Sequence, residues 1–149
     1  MKAVICEYVR SPFTPAFKGG LAEVRPDDLI ANTIKGLIKK SNVKVQDIED
    51  LKLGCAFPEG EQGLNIARIA IFLSGLPISV AGVTINRFCG SSMQAIHDAV
   101  GAIALNMGEL FICGGVESMS KIPMTGFNPL PNPALMEQNA DVYESMGIT

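Results

Sequence analysis

The stretch VTINRFCGSSMQAIHDAVGAI, residues 83–103, decides how this chain folds. Its first three residues are β-branched, and they predict a buried strand. From Ser91 to about Met107 the apolar residues recur with helical spacing and form one continuous face. The residues of this face are Met93, Ile96, Val100, Ile103 and Met107. A strand that gives way to a helix within four residues is typical of a parallel βαβ unit.

Strand and helix patterns alternate outside this stretch as well. Strands are predicted at residues 2–9, 51–57, 80–85 and 110–113, and helices at residues 26–40 and 64–73. Pro26 and the two acidic residues after it indicate a helix start. The sequence therefore predicts an α/β fold with a mixed, mostly parallel sheet covered by helices.

Composition and charge restrict the classes of protein that this chain could belong to. The 149 residues suit one compact domain, and 48% of them are hydrophobic. A net charge of −3 without a basic stripe argues against nucleic acid and anionic membranes as partners. Apolar stretches are too short to span a bilayer, and no leader pattern opens the sequence, so we expect a cytoplasmic protein.

The four cysteines divide into two groups. Cys6, Cys55 and Cys113 lie in apolar strand-like runs and are predicted to be buried thiols. The sequence contains no C-x-x-C pair, so a metal site is not predicted. Cys89 lies on the turn before the predicted helix at Ser91. A helix N-terminus favours thiolate and can lower a cysteine pKa from about 8.5 to roughly 3.5–7.5. A nucleophile and a structural thiol at a helix cap both fit this spacing.

Other polar residues were considered as site residues. His97 follows Cys89 by eight residues, about 12 Å along a helix, and is predicted to be a helix residue outside hydrogen-bond reach. Glu117 after the fourth predicted strand could act in a site, but a structural carboxylate that binds loop backbone is favoured. Asn65 and Arg68 share a face of the second predicted helix, which suggests a subunit contact or the ordering of a loop.

Several motifs resemble those of one family. NRFCGSSMQAI at residues 86–96 resembles the acyl-enzyme signature of thiolases. Further resemblances, in chain order, are RSPF at 10–13, QGLNIARIA at 62–70, CGGVESMS at 113–120 and MGIT at 146–149. The resemblance implies a thiolase-like N-terminal half, with the α/β domain at residues 1–120 and the start of the loop domain at 121–149.

The resemblance also implies a function. Cys89 would be the nucleophile that accepts an acyl group from 3-ketoacyl-CoA, with coenzyme A as co-substrate and no permanently bound cofactor. The family's G-H-P and C-x-G-G motifs do not occur, so the chain is expected to be inactive alone and to need a C-terminal half or to form a homo-oligomer. Two alternatives stay open: a non-catalytic remnant that only dimerises or binds, and another condensing enzyme of the same fold. The residues that contact CoA and the acyl chain length are not identified.

Overall fold

The computed structural model describes residues 2–145, which form a three-stranded sheet with helices on both faces. The strands are β1 (Asp50–Gly54), β2 (Ala81–Ile85) and β3 (Phe111–Gly115). The helices are α1 (Pro26–Ser41), α2 (Ile66–Ser74), α3 (Ser91–Ala104), α4 (Pro133–Gln138) and α5 (Ala140–Ser145). Short 3-10 turns at Val45–Asp47 and Gly60–Gln62 complete the described elements.

The three strands lie in the order β2-β1-β3, and both pairs are parallel. In this register Leu53 of β1 lies opposite Thr84 and Gly114. Helix α2 connects β1 to β2, and α3 returns the chain across β1 to β3. The predicted α/β fold is therefore confirmed, and the pairing within these strands is parallel throughout.

One face of the sheet, which we call the closed face, is covered by α1 and α2. Leu51 and Leu53 of β1 are fully buried there. The helices contribute Ile30, Ile34, Ile66, Ala67, Ala70 and Ile71 to the same core. Because alternate residues of a strand point to opposite faces, Lys52 and Gly54 face the other side.

Helix α3 covers the opposite face and buries small side chains against the sheet. Its buried residues are Ser91, Ala95 and Ala99. Among the apolar residues predicted to share a face, Met93, Ile96, Val100 and Met107 are 41–70% exposed. We call this surface the open side of α3. The helix ends at Ala104, earlier than predicted, because Asn106 adopts a left-handed φ of 55°.

The strand predicted at residues 2–9 is wrong. No part of this segment is assigned to a strand, and Val4, Ile5 and Tyr8 are each at least 76% exposed. The segment is held to α1 by Lys40, which pairs with Glu7 at 2.9 Å and donates to the Tyr8 carbonyl at 3.1 Å. Its apolar, β-branched pattern favours extended backbone, but a strand also needs a neighbour in the ladder. Among the described strands, none pairs with it.

Two other predicted boundaries can be compared with the structure. Helix α1 starts at Pro26 as predicted and continues one residue beyond Lys40. Helix α2 starts at Ile66, two residues later than predicted, because Leu64 and Asn65 both have a left-handed φ of 55°.

After β3 the chain stays attached to the core before two short helices. Ile122 is 2% exposed, and the Phe127 N–H donates to a Glu59 carboxylate oxygen at 2.6 Å. The short helices α4 and α5 then follow each other with one residue between them. The MGIT motif lies outside the described residues. In the part of the chain that the structure describes, no helix is long and apolar enough to cross a membrane.

Candidate active site

Cys89 lies on the turn that joins β2 to α3, and its side chain is exposed. The Asn86 side-chain oxygen accepts a hydrogen bond from the Phe88 N–H at 2.9 Å. The Ser91 hydroxyl accepts from the Arg87 N–H at 2.8 Å and donates to the Phe88 carbonyl at 2.6 Å. Phe88 has a φ of 45°, a conformation that is unfavourable for a residue other than glycine. These side chains hold the turn in a shape that it would not favour alone.

Two glycines allow α3 to approach the carboxyl ends of β1 and β3. A Cβ atom on Gly54 would lie 2.5 Å from the Ser91 carbonyl carbon. A Cβ atom on Gly115 would collide with the Ser92 hydroxyl oxygen. The Cys89 turn therefore lies above the carboxyl ends of these strands, which is where α/β proteins bind ligands.

A cleft of about 2240 Å³ extends from Cys89 to the N-terminal segment. Small-molecule sites commonly occupy about 300–1,000 Å³, so the whole cleft is too large to be one ligand pocket. At the Cys89 end, the Phe57 and Phe88 rings lie 6.0 Å apart and form an apolar wall. This end combines an exposed thiol with an apolar surface.

The other cysteines lie elsewhere. Burial raises the pKa of the Cys55 thiol to about 12, and the Glu117 carboxylate adds to the rise. Burial also raises the pKa of the half-buried Cys113. Cys6 is exposed, so its prediction as a buried thiol is wrong, because the segment that carries it does not join the sheet.

The structure assigns contacts to the other predicted polar residues. Glu117 accepts a hydrogen bond from the Ala56 N–H at 2.6 Å, as expected for a structural carboxylate that binds loop backbone. His97 is exposed on α3.

Arg68 orders a loop, one of the two roles suggested for Asn65 and Arg68, whereas Asn65 bonds to strand β2. Asn65 precedes α2, and its amide donates to the Gly82 carbonyl at 2.9 Å. Arg68 donates to the Ile78 carbonyl at 2.8 Å and to the Val80 carbonyl. Arg68 thus joins α2 to the segment that leads into β2, and Asn65 joins the start of α2 to β2 itself.

Two residues near the site were not singled out from the sequence. Gln62 is fully buried and bonds to groups on two loops, and Asn86 bonds to the Cys89 turn. In the sequence, Gln62 could have been noticed only as a polar residue in the stretch GEQG, which glycines flank on both sides. Within residues 2–145, no group of three or more His, Cys, Asp or Glu side chains is placed to hold a metal ion.

The sequence of this chain matches those of known proteins. Residues 3–146 match the family described as "Thiolase, N-terminal domain". The 3-ketoacyl-CoA thiolase of Bacillus subtilis (strain 168) is 47% identical over 148 residues, which cover 99% of this chain and 38% of that protein. That of Idiomarina loihiensis is 41% identical over 150 residues, covering 98% and 38%.

A solved structure is similar as well. The crystal structure of the Bacillus anthracis acetyl-CoA acetyltransferase superposes with a TM-score of 0.68 at 35% identity. The match covers 74% of this chain and 28% of that one. The chain thus spans about 38% of the length of the curated relatives that it matches. It belongs to the thiolase family and corresponds to the N-terminal portion of its members.

Proposed function

We propose that Cys89 is the acyl-accepting nucleophile of a thiolase and that this chain contributes it to acyl transfer between 3-ketoacyl-CoA and CoA. The observation that carries the proposal is the position of Cys89. Its thiol is exposed on a turn at the carboxyl ends of β1 and β3, directly before α3. Gly90 at the N-cap gives no side-chain hydrogen bond, so the first-turn N–H groups of α3 have no side-chain cap there.

The proposed reaction has two half-reactions. In the first, the Cys89 sulfur bonds to the keto carbon of a 3-ketoacyl-CoA, and the bond between that carbon and the neighbouring α-carbon breaks. The electron pair leaves on the α-carbon as an acetyl-CoA enolate, which takes up a proton from a general acid. In the second, the thiolate of CoA attacks the acyl-cysteine thioester, the bond between the acyl carbon and the Cys89 sulfur breaks, and acyl-CoA and the Cys89 thiolate are released. N–H donors near the thioester would stabilise the oxyanions that form in both steps.

Two titratable residues that the structure describes can be ruled out for the remaining acid–base work. The only histidine, His97, lies eight residues after Cys89 on the exposed surface of α3. With its pKa of about 12, the Cys55 thiol stays protonated at neutral pH and cannot act as a base. We therefore propose that this chain does not turn over by itself and that the part of the relatives beyond it supplies the acid and the base.

Intact mass measurement tests the nucleophile without requiring turnover. The purified chain is incubated with acetyl-CoA, which gives its acetyl group to Cys89 with CoA thiolate as the leaving group and needs no acid at carbon, and the chain is compared with the Cys89→Ala variant. We expect the wild-type mass to rise by one acetyl group and the variant to stay unmodified. A Cys6→Ala variant is the matched control, because Cys6 is also exposed, and it should keep the adduct. An adduct on Cys6 alone, or none on folded protein, would contradict the proposal.

A second candidate function is a non-catalytic thiolase remnant that only dimerises or binds a partner. The open side of α3 favours it, since an exposed apolar surface of this kind is typical of an interaction site. The mass experiment separates the two functions, because a remnant forms no Cys89 adduct. Another condensing enzyme of the same fold is the third alternative, and the similarity to 3-ketoacyl-CoA thiolases argues against it.

We also propose that this chain forms a homo-oligomer through the open side of α3 when no C-terminal half is present. Met93, Ile96 and Val100 are 41–56% exposed on one helix face, and a second copy would cover them. Light scattering at tens of micromolar should show a dimer or larger species, and Val100→Lys should shift it towards the monomer. A wild-type chain that stays monomeric at these concentrations would disprove self-association.

The remaining assignments are proposals of smaller scope. We propose that residues 1–120 form the α/β domain and that residues 121–149 begin the loop domain. The similarity to 3-ketoacyl-CoA thiolases supports the degradative branch, which a comparison of adduct formation across acyl chain lengths would test. The free thiols of Cys6, Cys55 and Cys113 support a cytoplasmic location, since reducing compartments keep thiols from forming disulfides, and cell fractionation would test it.

A further inference from the structure

A hydrogen-bond relay connects the interior of the domain to the Cys89 turn. It begins at Gln62, whose side chain is fully buried between the loops that follow β1 and β3. Its amide nitrogen donates to the Phe57 carbonyl at 2.8 Å and to a Glu117 carboxylate oxygen at 2.6 Å. Its oxygen accepts from the Ser118 N–H at 2.6 Å. A buried amide that has partners on both loops fixes their relative positions.

The relay passes next through Glu117 and the backbone of Ala56. The second Glu117 oxygen accepts from the Ala56 N–H at 2.6 Å. The Ala56 carbonyl accepts from the Asn86 side-chain amide at 2.9 Å. The two peptide groups that flank Ala56 are therefore held from opposite directions, one by a carboxylate and one by Asn86. Hydrogen bonds to a charged acceptor are stronger than neutral ones, so Glu117 is the firm anchor.

The relay ends beside the cysteine. The Asn86 side-chain oxygen accepts from the Phe88 N–H at 2.9 Å, and Phe88 precedes Cys89 with its left-handed φ of 45°. Since that conformation is unfavourable, it persists only where surrounding contacts impose it. Asn86 imposes it on one side, and through Ala56 and Glu117 it is tied to the buried Gln62.

We propose that Gln62, Glu117 and Asn86 are positioning residues for Cys89, which act through the backbone of Ala56 and Phe88 to hold the thiol at the N-terminus of α3. This proposal deepens the proposed function, since it concerns the same cysteine. None of the three residues needs to touch the substrate. The function of the relay is to keep the Cys89 turn in place when a ligand enters the neighbouring cleft.

The test is the alkylation rate of Cys89 in the full chain. Iodoacetamide is applied from pH 6 to pH 10, and site-resolved mass spectrometry gives the rates of Cys89 and of the exposed Cys6. Cys6 acts as the internal standard because it lies in the N-terminal segment. For Glu117→Ala and Asn86→Ala we expect the Cys89 rate at pH 7 to fall about three- to tenfold relative to Cys6, because the thiolate loses its place at the helix terminus.

Two conservative variants distinguish a relay from a purely local turn. Asn86→Asp keeps an acceptor for the Phe88 N–H but loses the donor to the Ala56 carbonyl. A relay predicts that this variant behaves like Asn86→Ala, and wild-type behaviour would overturn the proposal. Glu117→Gln keeps an acceptor for the Ala56 N–H but places its amide nitrogen against the Gln62 amide donor, so it should restore only part of the loss seen in Glu117→Ala. Because Asn86 is exposed, its variants are expected to fold. They therefore test the proposal even if Glu117→Ala does not fold.

A matched carboxylate control is Glu109→Gln, which lies before the opposite end of β3 and should leave the ratio of Cys89 to Cys6 unchanged. An unchanged ratio in folded Asn86→Ala and Glu117→Ala would overturn the relay. The two proposals fail separately. Alkylation needs no CoA ester, so a chain that forms no acetyl adduct still reports on the relay, and a chain without the relay can still form the adduct.

Discussion

On the closed face α1 and α2 cover the apolar side chains of β1, whereas the open side of α3 turns apolar side chains towards solvent. Ile71 of α2 is fully buried, and Ile96 of α3 is 41% exposed. Both residues belong to apolar helix faces of the same kind in the sequence. Helix α3 packs on the sheet through small residues, Ala95 and Ala99, which leaves its larger apolar residues outside. An apolar stripe in the sequence therefore shows that a helix has a face to bury. It does not show which element covers that face.

The largest expected effect comes from replacing an isoleucine by alanine, once on the closed face and once on the open side of α3. Ile71→Ala removes fully buried methyl groups and leaves a cavity, so we expect the free energy of unfolding to fall by about 2–5 kcal/mol. Ile96→Ala should cost less than about 1 kcal/mol, because its side chain is already partly hydrated. Urea unfolding at low micromolar concentration measures both. Equal losses would mean that the open side is covered in solution.

An ion pair at the start of α1 gives a second, smaller effect on the closed side. Burial opposes ionisation of Asp27, but hydrogen bonds from the Arg25 guanidinium, at 2.7 and 3.0 Å, and from the Asp28 N–H hold its pKa below the ordinary value. A carboxylate with a lowered pKa stabilises the fold above its unfolded pKa of about 3.9, and this stabilisation is lost as the pH falls below it.

The Asp27→Asn variant should therefore lower the free energy of unfolding at pH 7 by about 1–2 kcal/mol. The difference from wild type should shrink as the pH falls from about 4 to 2, since both side chains are then neutral. Urea unfolding at a series of pH values measures this difference. Glu23→Gln is the exposed control, because Glu23 is 94% exposed and its pair with Lys121 should contribute little. A difference that does not depend on pH would show that the charge of Asp27 is irrelevant.

The sequence predicted local structure well where the neighbours in space are also neighbours in the chain. The start of α1 at Pro26 and the strand–turn–helix unit around Cys89 depend on local capping, periodicity and turn chemistry. The segment at residues 2–9 was mispredicted because a strand depends on a partner that local sequence does not specify. The start of α2 was misplaced because left-handed Leu64 gives no sequence signal of its own.

The candidate site was predictable to a similar degree. Cys89 could be found from its place on a turn before a helix and from the motif around it. The bonds of Gln62 and Glu117 could not, since they join residues 55 positions apart and arise only when β1 and β3 become neighbours. Sequence patterns identify the candidate cysteine, whereas the contacts around its turn depend on the sheet.

The smallest expected effect concerns two helix glycines. Gly101 lies on α3 and Gly36 on α1, both are exposed, and a Cβ atom at either position would meet nothing within 4 Å. Alanine at either site should raise the free energy of unfolding by about 0.5–1 kcal/mol, because glycine loses more conformational freedom in a helix. Urea unfolding at low micromolar concentration should give equal gains for the two variants.

The gains from the two alanine substitutions should differ only if α3 packs against another chain. If position 101 lies in an interface between copies, the Gly101→Ala variant should lose its gain in the free energy of unfolding at tens of micromolar. The Gly36→Ala variant should keep its gain. Equal gains at every concentration would place the interface away from this part of α3. Because helix propensity cancels between the two variants, their difference isolates the packing of the α3 face that carries Gln94, His97 and Gly101, which lies next to the open side.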